Sequence, residues 1–406
     1  MNRRSLSTAL GLGVLLLVAL PFLLSQGLLN AAIQMLIAAL FACAYNVLCG
    51  QAGMLSFGHA AYFGVGAFAT IHAMNAFAGT GLLPTPLLPL AGAAAGLVIG
   101  AIAGWFATQR TGTYFAMITL AIAELLHSLA PHLKSLFGGE AGVSGMRMPS
   151  LGVTFGSTTQ VYYLVLAWVL ACLALLYFFT RTPLGRLALG LRENSHRLAF
   201  LGYDVHKLGV MVFAISAMFS GIAGGLQVLN NEAANYVVFD AAVSAAVVLN
   251  TYIGGTKVFL GPALGAALMT FFGYAVSDLT RSWLLYQGVL FVLVMMFMPD
   301  GLAGLATKAA ALRRRHGGAA LLPVLLVALA AGAACSAGVA GIVESLHRTF
   351  SPDGRAPVPP LAWAGAIALL AAGAALVWTV RRLLARLEGR ADRPAAALPA
   401  AEGEPA

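Results

Sequence analysis

Apolar residues run in blocks of about twenty along most of this chain, each block closed by a polar, glycine or proline break. A helical residue advances about 1.5 Å and the hydrocarbon core of a bilayer is about 30 Å thick, so each block has the length of one membrane-crossing helix. The pattern predicts twelve such helices, over 6–24, 28–48, 54–78, 86–108, 113–130, 159–180, 208–230, 241–259, 261–278, 282–299, 318–342 and 360–380. The expected fold class is an all-α polytopic membrane protein, with about ten core transmembrane helices and two extra ones at the C-terminal end.

Two of these runs are richer in Gly, small and polar residues than a lipid-facing helix requires. One reads Asn46-Val-Leu-Cys-Gly50-Gln51-Ala-Gly53-Met-Leu-Ser56-Phe-Gly58-His59, and the other Asn250-Thr-Tyr-Ile-Gly254-Gly255-Thr256-Lys257-Val-Phe-Leu-Gly261. Each places an Asn four residues before a Gly, and they lie five spans apart, so a five-helix repeat would set them in opposite orientations. That is the pattern of two inverted repeats whose broken helices meet near the midplane and line a path, with Gln51, Ser56, His59 and Thr256 as the candidate lining. The alternative is close helix packing, which is the reading for the four-residue stripe Gly92, Gly96, Gly100 and Gly104.

The longest polar interruption among the first ten spans is 181–207. Arg181-Thr-Pro183-Leu-Gly185-Arg186 breaks the preceding helix, and Arg192 to Gly202 reads as a short amphipathic helix ended by Gly202, with Leu191, Leu198 and Leu201 on one face. Such a helix suits a membrane surface or a partner's groove.

Charge sharpens the picture. Only 9% of the residues are charged and 60% are hydrophobic, against roughly a quarter charged in a soluble domain. A soluble enzyme, a disordered chain and a disulfide scaffold are excluded. The net charge of +9 does not call for nucleic acid, because no basic face interleaved with aromatics accompanies it. With Arg3 and Arg4 in the cytoplasm, the parity of twelve spans puts 181–207, 300–317 and 381–406 inside. Only Lys134, Arg147, Arg281, Arg348 and Arg355 then fall outside, as the positive-inside rule requires. Both termini are expected in the cytoplasm. No small-x-small site closely follows the first apolar run, so it reads as an uncleaved helix. Cys43, Cys49, Cys172 and Cys335 have no metal-type spacing and read as small hydrophobes.

The chain has no GxxxxGK[ST], HExxH, GxSxG elbow or strand-to-helix GxGxxG, so no ATP-hydrolysing P-loop, metal site or cofactor is expected. Glu124 and His127, one turn apart within a span, are expected to form a structural intramembrane pair, the competing reading being a proton site. His59 reads as a satisfied core or pathway histidine, since no second metal ligand stands at a suitable spacing. Residue chemistry thus leads to a polytopic transporter or channel, with an ion-coupled secondary transporter as the rival to a partner-driven one. A channel is disfavoured, because no charged ring or carbonyl filter motif is present.

Gly50 to Ala67, Gly112-Thr-Tyr-Phe-Ala-Met-Ile-Thr-Leu-Ala, and Arg181-Thr-Pro-Leu-Gly-Arg onward to Gly202 closely resemble the permease subunits of branched-chain amino-acid ABC importers, of the LivM type. The likeness runs from about Leu28 to Leu305, including Gly254-Gly255-Thr256 and Met298-Pro299-Asp300-Gly301-Leu302. It implies a multi-pass inner-membrane subunit paired with a LivH-type sister permease, two cytoplasmic ATPases and a periplasmic substrate-binding protein. It also implies alternating access, with aliphatic amino acids as substrates and urea, amides or aromatic acids as the alternatives served by related systems. The cytoplasmic loop would carry the helix that docks into the ATPase, through Arg192, Glu193, His196, Arg197, Ala199 and Gly202. His196-Arg197 depart from the small or acidic residues more usual there. The resulting organisation is an N-terminal helix over 1–27, a permease core over 28–305, a basic segment with two additional helices over 306–390, and a disordered tail over 391–406.

Overall fold

The computed structural model describes residues 3–78, 83–150, 152–277, 283–297, 300–316, 318–350 and 359–391. In chain order its helices are α1 (Arg3–Leu23), α2 (Gln26–Asn46), continued by a π-helical turn Val47–Gln51, α3 (His59–Ala76), α4 (Pro89–Ala107), α5 (Thr113–Leu129) and the short α6 (Lys134–Phe137). There follow α7 (Thr158–Arg181), α8 (Pro183–Phe200), α9 (Val205–Asn231), α10 (Ala241–Gly254), α11 (Gly261–Ser277), α12 (Trp283–Phe297), α13 (Gly301–His316), α14 (Gly318–Phe350) and α15 (Pro360–Ala391). Every apolar run holds a helix. Gln26–Gln51, Thr85–Ala107, Thr158–Arg181, Val205–Asn231 and Pro360–Val380 are long and apolar enough to cross a membrane by themselves.

The chain divides into two compact units. One comprises Met1–Val276 with Phe291–Gly304, the other Ser277–Leu290 with Leu305–Ala406.

At the centre of the first unit stands α9, buried along most of its length and packed on α2, α3 and α4. The glycine stripe of α4 makes this possible. A Cβ on Gly96 would lie 2.5 Å from the carbonyl oxygen of Ala217, and one on Gly104 would lie 3.1 Å from Cβ of Phe213. Gly92 faces Gly221, which also faces Gly66 of α3. In lipid, where apolar side chains gain nothing by leaving the solvent, such backbone-to-backbone contact is what holds helices together.

The connections sort to two ends, as consecutive crossings require. At one end the loop after α5 forms strand β1 (Val143–Ser144), which pairs antiparallel with β2 (Ala233–Ala234) just after α9, in the register Val143↔Ala234 and Ser144↔Ala233. Asn75 Nδ2, at the end of α3, donates to Ser144 O at 3.0 Å. At the other end the turn after α4 meets the start of α9, where Thr108 Oγ1 lies 3.1 Å from His206 Nδ1. There too the turn after α10 meets the end of α7, with Tyr177 and Phe259 rings 5.4 Å apart.

Both echoing segments leave the helical path. Residues 52–58 have no helix, so the third run becomes helical only at His59, and 255–260 form turns. Glycines explain both. Gly53 has φ +72° and Gly255 φ +99°, conformations that L side chains avoid.

The interruption 181–207 is more helical than its composition suggests. Thr182 Oγ1 accepts from Gly185 N at 3.2 Å and Pro183 occupies the first turn, so α8 starts as α7 ends. Asn194 then leaves the helical conformation, and its Oδ1 accepts from Arg197 N at 3.0 Å, capping a second, shorter segment. The expected helix over 192–202 is therefore two pieces, and the break changes its faces. Leu198 is buried and Leu191 half-buried, while Leu201 is 66% exposed. Gly202 (φ +86°) ends the segment, and Asp204 Oδ1 caps α9 by accepting from Lys207 N at 3.0 Å. That bond holds the Asp204 carboxyl below the usual carboxylate range.

In the second unit α14 and α15 pair antiparallel. Gly338 lies against Leu370 and Gly373 against Cys335. Tyr286 of α12 donates to the carbonyl of Ala340 at 3.4 Å. The Arg382 guanidinium lies 3.4 Å from the Trp378 ring centroid. Of residues 391–406, read as a disordered tail, Ala391 ends α15 and 392–406 lie outside the described residues.

Candidate functional site

A cavity of about 760 Å³ opens at the end of the bundle that holds the α4–α5 and α7–α9 connections. Its wall is drawn from three stretches far apart in sequence: 52–57 between the π-turn and α3, 108–120 across the start of α5, and 191–209 around the end of α8. These are the places of the three long motifs singled out in the sequence. Met54, Leu55, Phe57, Phe115, Met117 and Leu120 give it an apolar body. Arg110 and Arg192 supply two guanidiniums, and Thr108, Thr111, Thr113 and Ser195 supply hydroxyls. Among the described residues no carboxylate lines it. The site can therefore hold a small solute that has an apolar part and an anionic or hydrogen-bond-accepting end.

None of Gln51, Ser56, His59 or Thr256 lines this cavity. Ser56 and His59 are fully buried behind it. His59 Nδ1 lies 3.0 Å from Ser56 Oγ and His59 Nε2 lies 2.9 Å from Ser216 Oγ. Ser216 gives its own proton to Ala44 O at 2.7 Å, so Nε2 donates to Ser216 and Nδ1 is left to accept from Ser56. The rings of Tyr45, Tyr62 and Phe213 enclose the imidazole at 5.0, 5.5 and 5.8 Å. His59 is thus a satisfied core histidine tying α3 to α9 and α2. Ser244 of α10 accepts from Ala60 N at 2.9 Å, satisfying a first-turn amide that Gly58 cannot cap. Ser216 escaped the sequence reading because a lone serine in an apolar run carries no signal of its partner.

Gln51 closes the π-turn and is half-buried, as is Thr256. Thr256 meets the first echoing segment through its carbonyl, which accepts from Asn46 Nδ2 at 3.4 Å. Asn46 Oδ1 and Asn250 Oδ1, the equivalent atoms of the two echoing asparagines, are both buried and have no hydrogen-bond partner among the described residues.

Glu124 and His127 do not pair. Glu124 is exposed on α5 and makes no hydrogen bond or ion pair among the described residues, whereas His127 turns inward, its ring 5.7 Å from that of Tyr236. Three positions along a helix is about 300°, and here the residual rotation separates an outward face from an inward one. Of the six residues expected on the docking loop, Glu193, His196, Arg197 and Ala199 are exposed, and Gly202 forms the exposed turn beyond them. Arg192 is exposed too, and its Nη1 turns back to donate to Gly50 O at 2.6 Å. Phe200 (91% exposed) and Tyr203 extend this surface and were not singled out in the sequence.

The comparisons with known proteins fall on the same residues. The family model for the branched-chain amino acid transport system permease component matches residues 27–299. The high-affinity branched-chain amino acid transport system permease protein LivM of Salmonella typhimurium is 29% identical, covering 70% of this chain and 72% of the relative. The protein of the same name from Escherichia coli is 28% identical, covering 71% and 73%. The LivH permease of Salmonella typhimurium is 25% identical, covering 66% of this chain and 91% of the relative. No solved structure matches.

Proposed function

The chain belongs to the branched-chain amino acid transport permease family, LivM type, and we propose that it carries aliphatic amino acids across the inner membrane as one half of the channel of an ABC importer. The observation that carries this is the convergence of 52–57, 108–120 and 191–209 on one cavity with an apolar body and two guanidiniums. An amino acid with a branched side chain and a free carboxylate fits that composition, which supports reading the cavity as the inward vestibule of the path.

The rest of the machine comes from partners. With no P-loop of its own, this chain takes energy from two ATPase subunits on the inner side, docking against Glu193, His196, Arg197, Ala199 and Phe200. A binding protein delivers substrate outside, and the two sides open in turn. Ser56 and His59 hold the first broken segment against α9 as the path shifts, while Gln51 and Thr256 stand where the two segments meet.

The sister permease closes the other wall. Tyr114, Met117 and Leu125 are 70%, 67% and 63% exposed along one face of α5, and Glu124 lies among them. A carboxylate at membrane depth is costly facing lipid and almost always faces a bundle interior or a wet cavity. In this reading the outward face of α5 is internal in the assembled transporter.

The test is reconstitution of the chain with its sister permease, ATPases and binding protein in proteoliposomes. ATP-dependent accumulation of leucine, isoleucine or valine is expected. Accumulation driven by a proton gradient without ATP or partners would overturn the reading.

A further inference from the structure

The geometry points to Arg192 as a positioning residue that couples the cytoplasmic loop to the broken segments through the π-helical turn, an inference that rests on the reading of that loop as the ATPase contact.

Arg192 sits on the last turn of α8 before the break at Asn194. Its Nη1 donates to the carbonyl of Gly50 at 2.6 Å. Its side-chain stem lies on Gly53, where a Cβ would fall 2.9 Å from Arg192 Cγ and 3.2 Å from Arg192 Cα. Gly53 is held open by φ +72°, so the stem and the 52–58 segment fit together only because that residue lacks a side chain.

The turn that Arg192 grips is wound wider than an α-helix. Val47–Gln51 is π-helical, a form that occurs mostly as single turns inside α-helices and often at functional sites. On its far side it is tied to the second broken segment. Asn46 packs over Gly50 and donates through Nδ2 to Thr256 O at 3.4 Å. Cys49 Sγ donates to Tyr252 Oη at 3.4 Å, at the end of α10.

A contiguous path therefore runs from the loop through Arg192, Gly50, Asn46 and Cys49 to residues 252–256. In this proposal the π-turn is the element that switches, since relaxing it to α-helical winding would withdraw Gly50 O from Arg192 and move Asn46 and Cys49 relative to α10. A push on α8 biases this turn, and the turn moves the two broken segments together.

Two measurements test this in the assembled transporter. The first is the alkylation rate of Cys49 by a membrane-permeant maleimide, with Cys43→Ser, Cys172→Ala and Cys335→Ala removing the other thiols. The second is the amount of substrate accumulated per ATP hydrolysed. Arg192→Ala is expected to raise Cys49 alkylation and to lower uptake per ATP, each by about tenfold, the upper part of the range for mutations along a coupling path. Arg192→Lys, which keeps one donor for Gly50 O, is expected to restore more than half of both.

A merely structural role would lower protein amount, uptake and ATP hydrolysis in proportion and leave their ratio unchanged, which would overturn the proposal. Wild-type Cys49 alkylation in Arg192→Ala would also overturn it. If the wild-type assembly neither transports nor hydrolyses ATP, the transport reading fails, while Cys49 still reports whether Arg192 holds the turn.

Discussion

Arg147 holds Glu232 by two bonds to one oxygen, its backbone N–H at 3.0 Å and its Nε at 3.1 Å both donating to Oε1. Arg147 Nη1 also donates to Leu229 O at 2.8 Å, so the loop after α5 is clamped to the end of α9. Glu232 accepts a left-handed conformation, φ 56°, to make this contact. Arg147→Ala is expected to destabilise the protein by about 1.5–3 kcal/mol, the range for hydrogen bonds to a charged group. Glu232→Gly should cost less than Glu232→Ala, because Gly relieves the strain that Ala retains. Thermal unfolding in detergent measures both.

Ser216 and Ser220 share α9 but not the same importance. Ser216→Ala leaves His59 Nε2 unpaired in a fully buried site, at an expected cost of about 1–3 kcal/mol. Among the described residues the Ser220 hydroxyl bonds only to Ser216 O within its own helix, at 2.9 Å, and Ser220→Ala is expected to be nearly neutral. Equal loss of stability for the two would count against His59 as the central tie.

Gly221→Leu is expected to prevent folding, since even a Cβ would collide with the Gly92 carbonyl, and overpacking of this kind costs about 1–3 kcal/mol or more. Gly365→Ala on α15 meets nothing within 4 Å and should leave stability unchanged or raise it. Size-exclusion profiles of the two variants in detergent separate the cases.

Cysteines placed at Met117 and Leu125 are expected to crosslink to the co-expressed sister permease. A cysteine at Ile102, on the exposed face of α4 (53% exposed), is expected not to. Crosslinking from Ile102 alone would move the subunit interface away from α5.

Gly202 combines φ +86° with open space around its Cβ position. Gly202→Ala therefore carries only the backbone cost, about 1–2 kcal/mol, and Gly202→Asn less. Bulk at this position acts outward, on whatever docks against Phe200 and Leu201. Gly202→Trp in assembled transporter should thus lower uptake per ATP more than it lowers melting temperature.

The helices were legible because hydrocarbon thickness favours long apolar runs, and each of the twelve apolar runs contains a helix, five of them, among the described residues, long and apolar enough to cross by themselves. Their ends were less so. Residues 54–58 carry little polar signal, yet Gly53, at φ +72°, turns the chain out of the helix, and Gly58 lets it pass against the Thr119 carbonyl, where a Cβ would collide, features that hydropathy does not register. The directions of charged side chains were also hidden. Arg192 is solvent-exposed, as its place in a polar loop suggests, yet the fold also brings Gly50 O within reach of its Nη1. Glu124 and His127 show the reverse case, where a spacing suited to pairing is overruled by the way α5 is rotated against its neighbours. Ser216 became significant only because α9 places it 157 positions away in sequence from His59 and within hydrogen-bond distance in space.

The stripe along α4 works like a rack whose teeth are one turn apart. Gly92, Gly96, Gly100 and Gly104 repeat every four residues against Gly221, Ala217 and Phe213, so small positions come back into register only after a slide of about 6 Å. Any shorter displacement drives a side chain into a facing carbonyl. The pair α4 and α9 is thereby locked against sliding along its length, and in the proposed transport cycle the movement that opens one side and then the other would fall to the segments that lack such teeth.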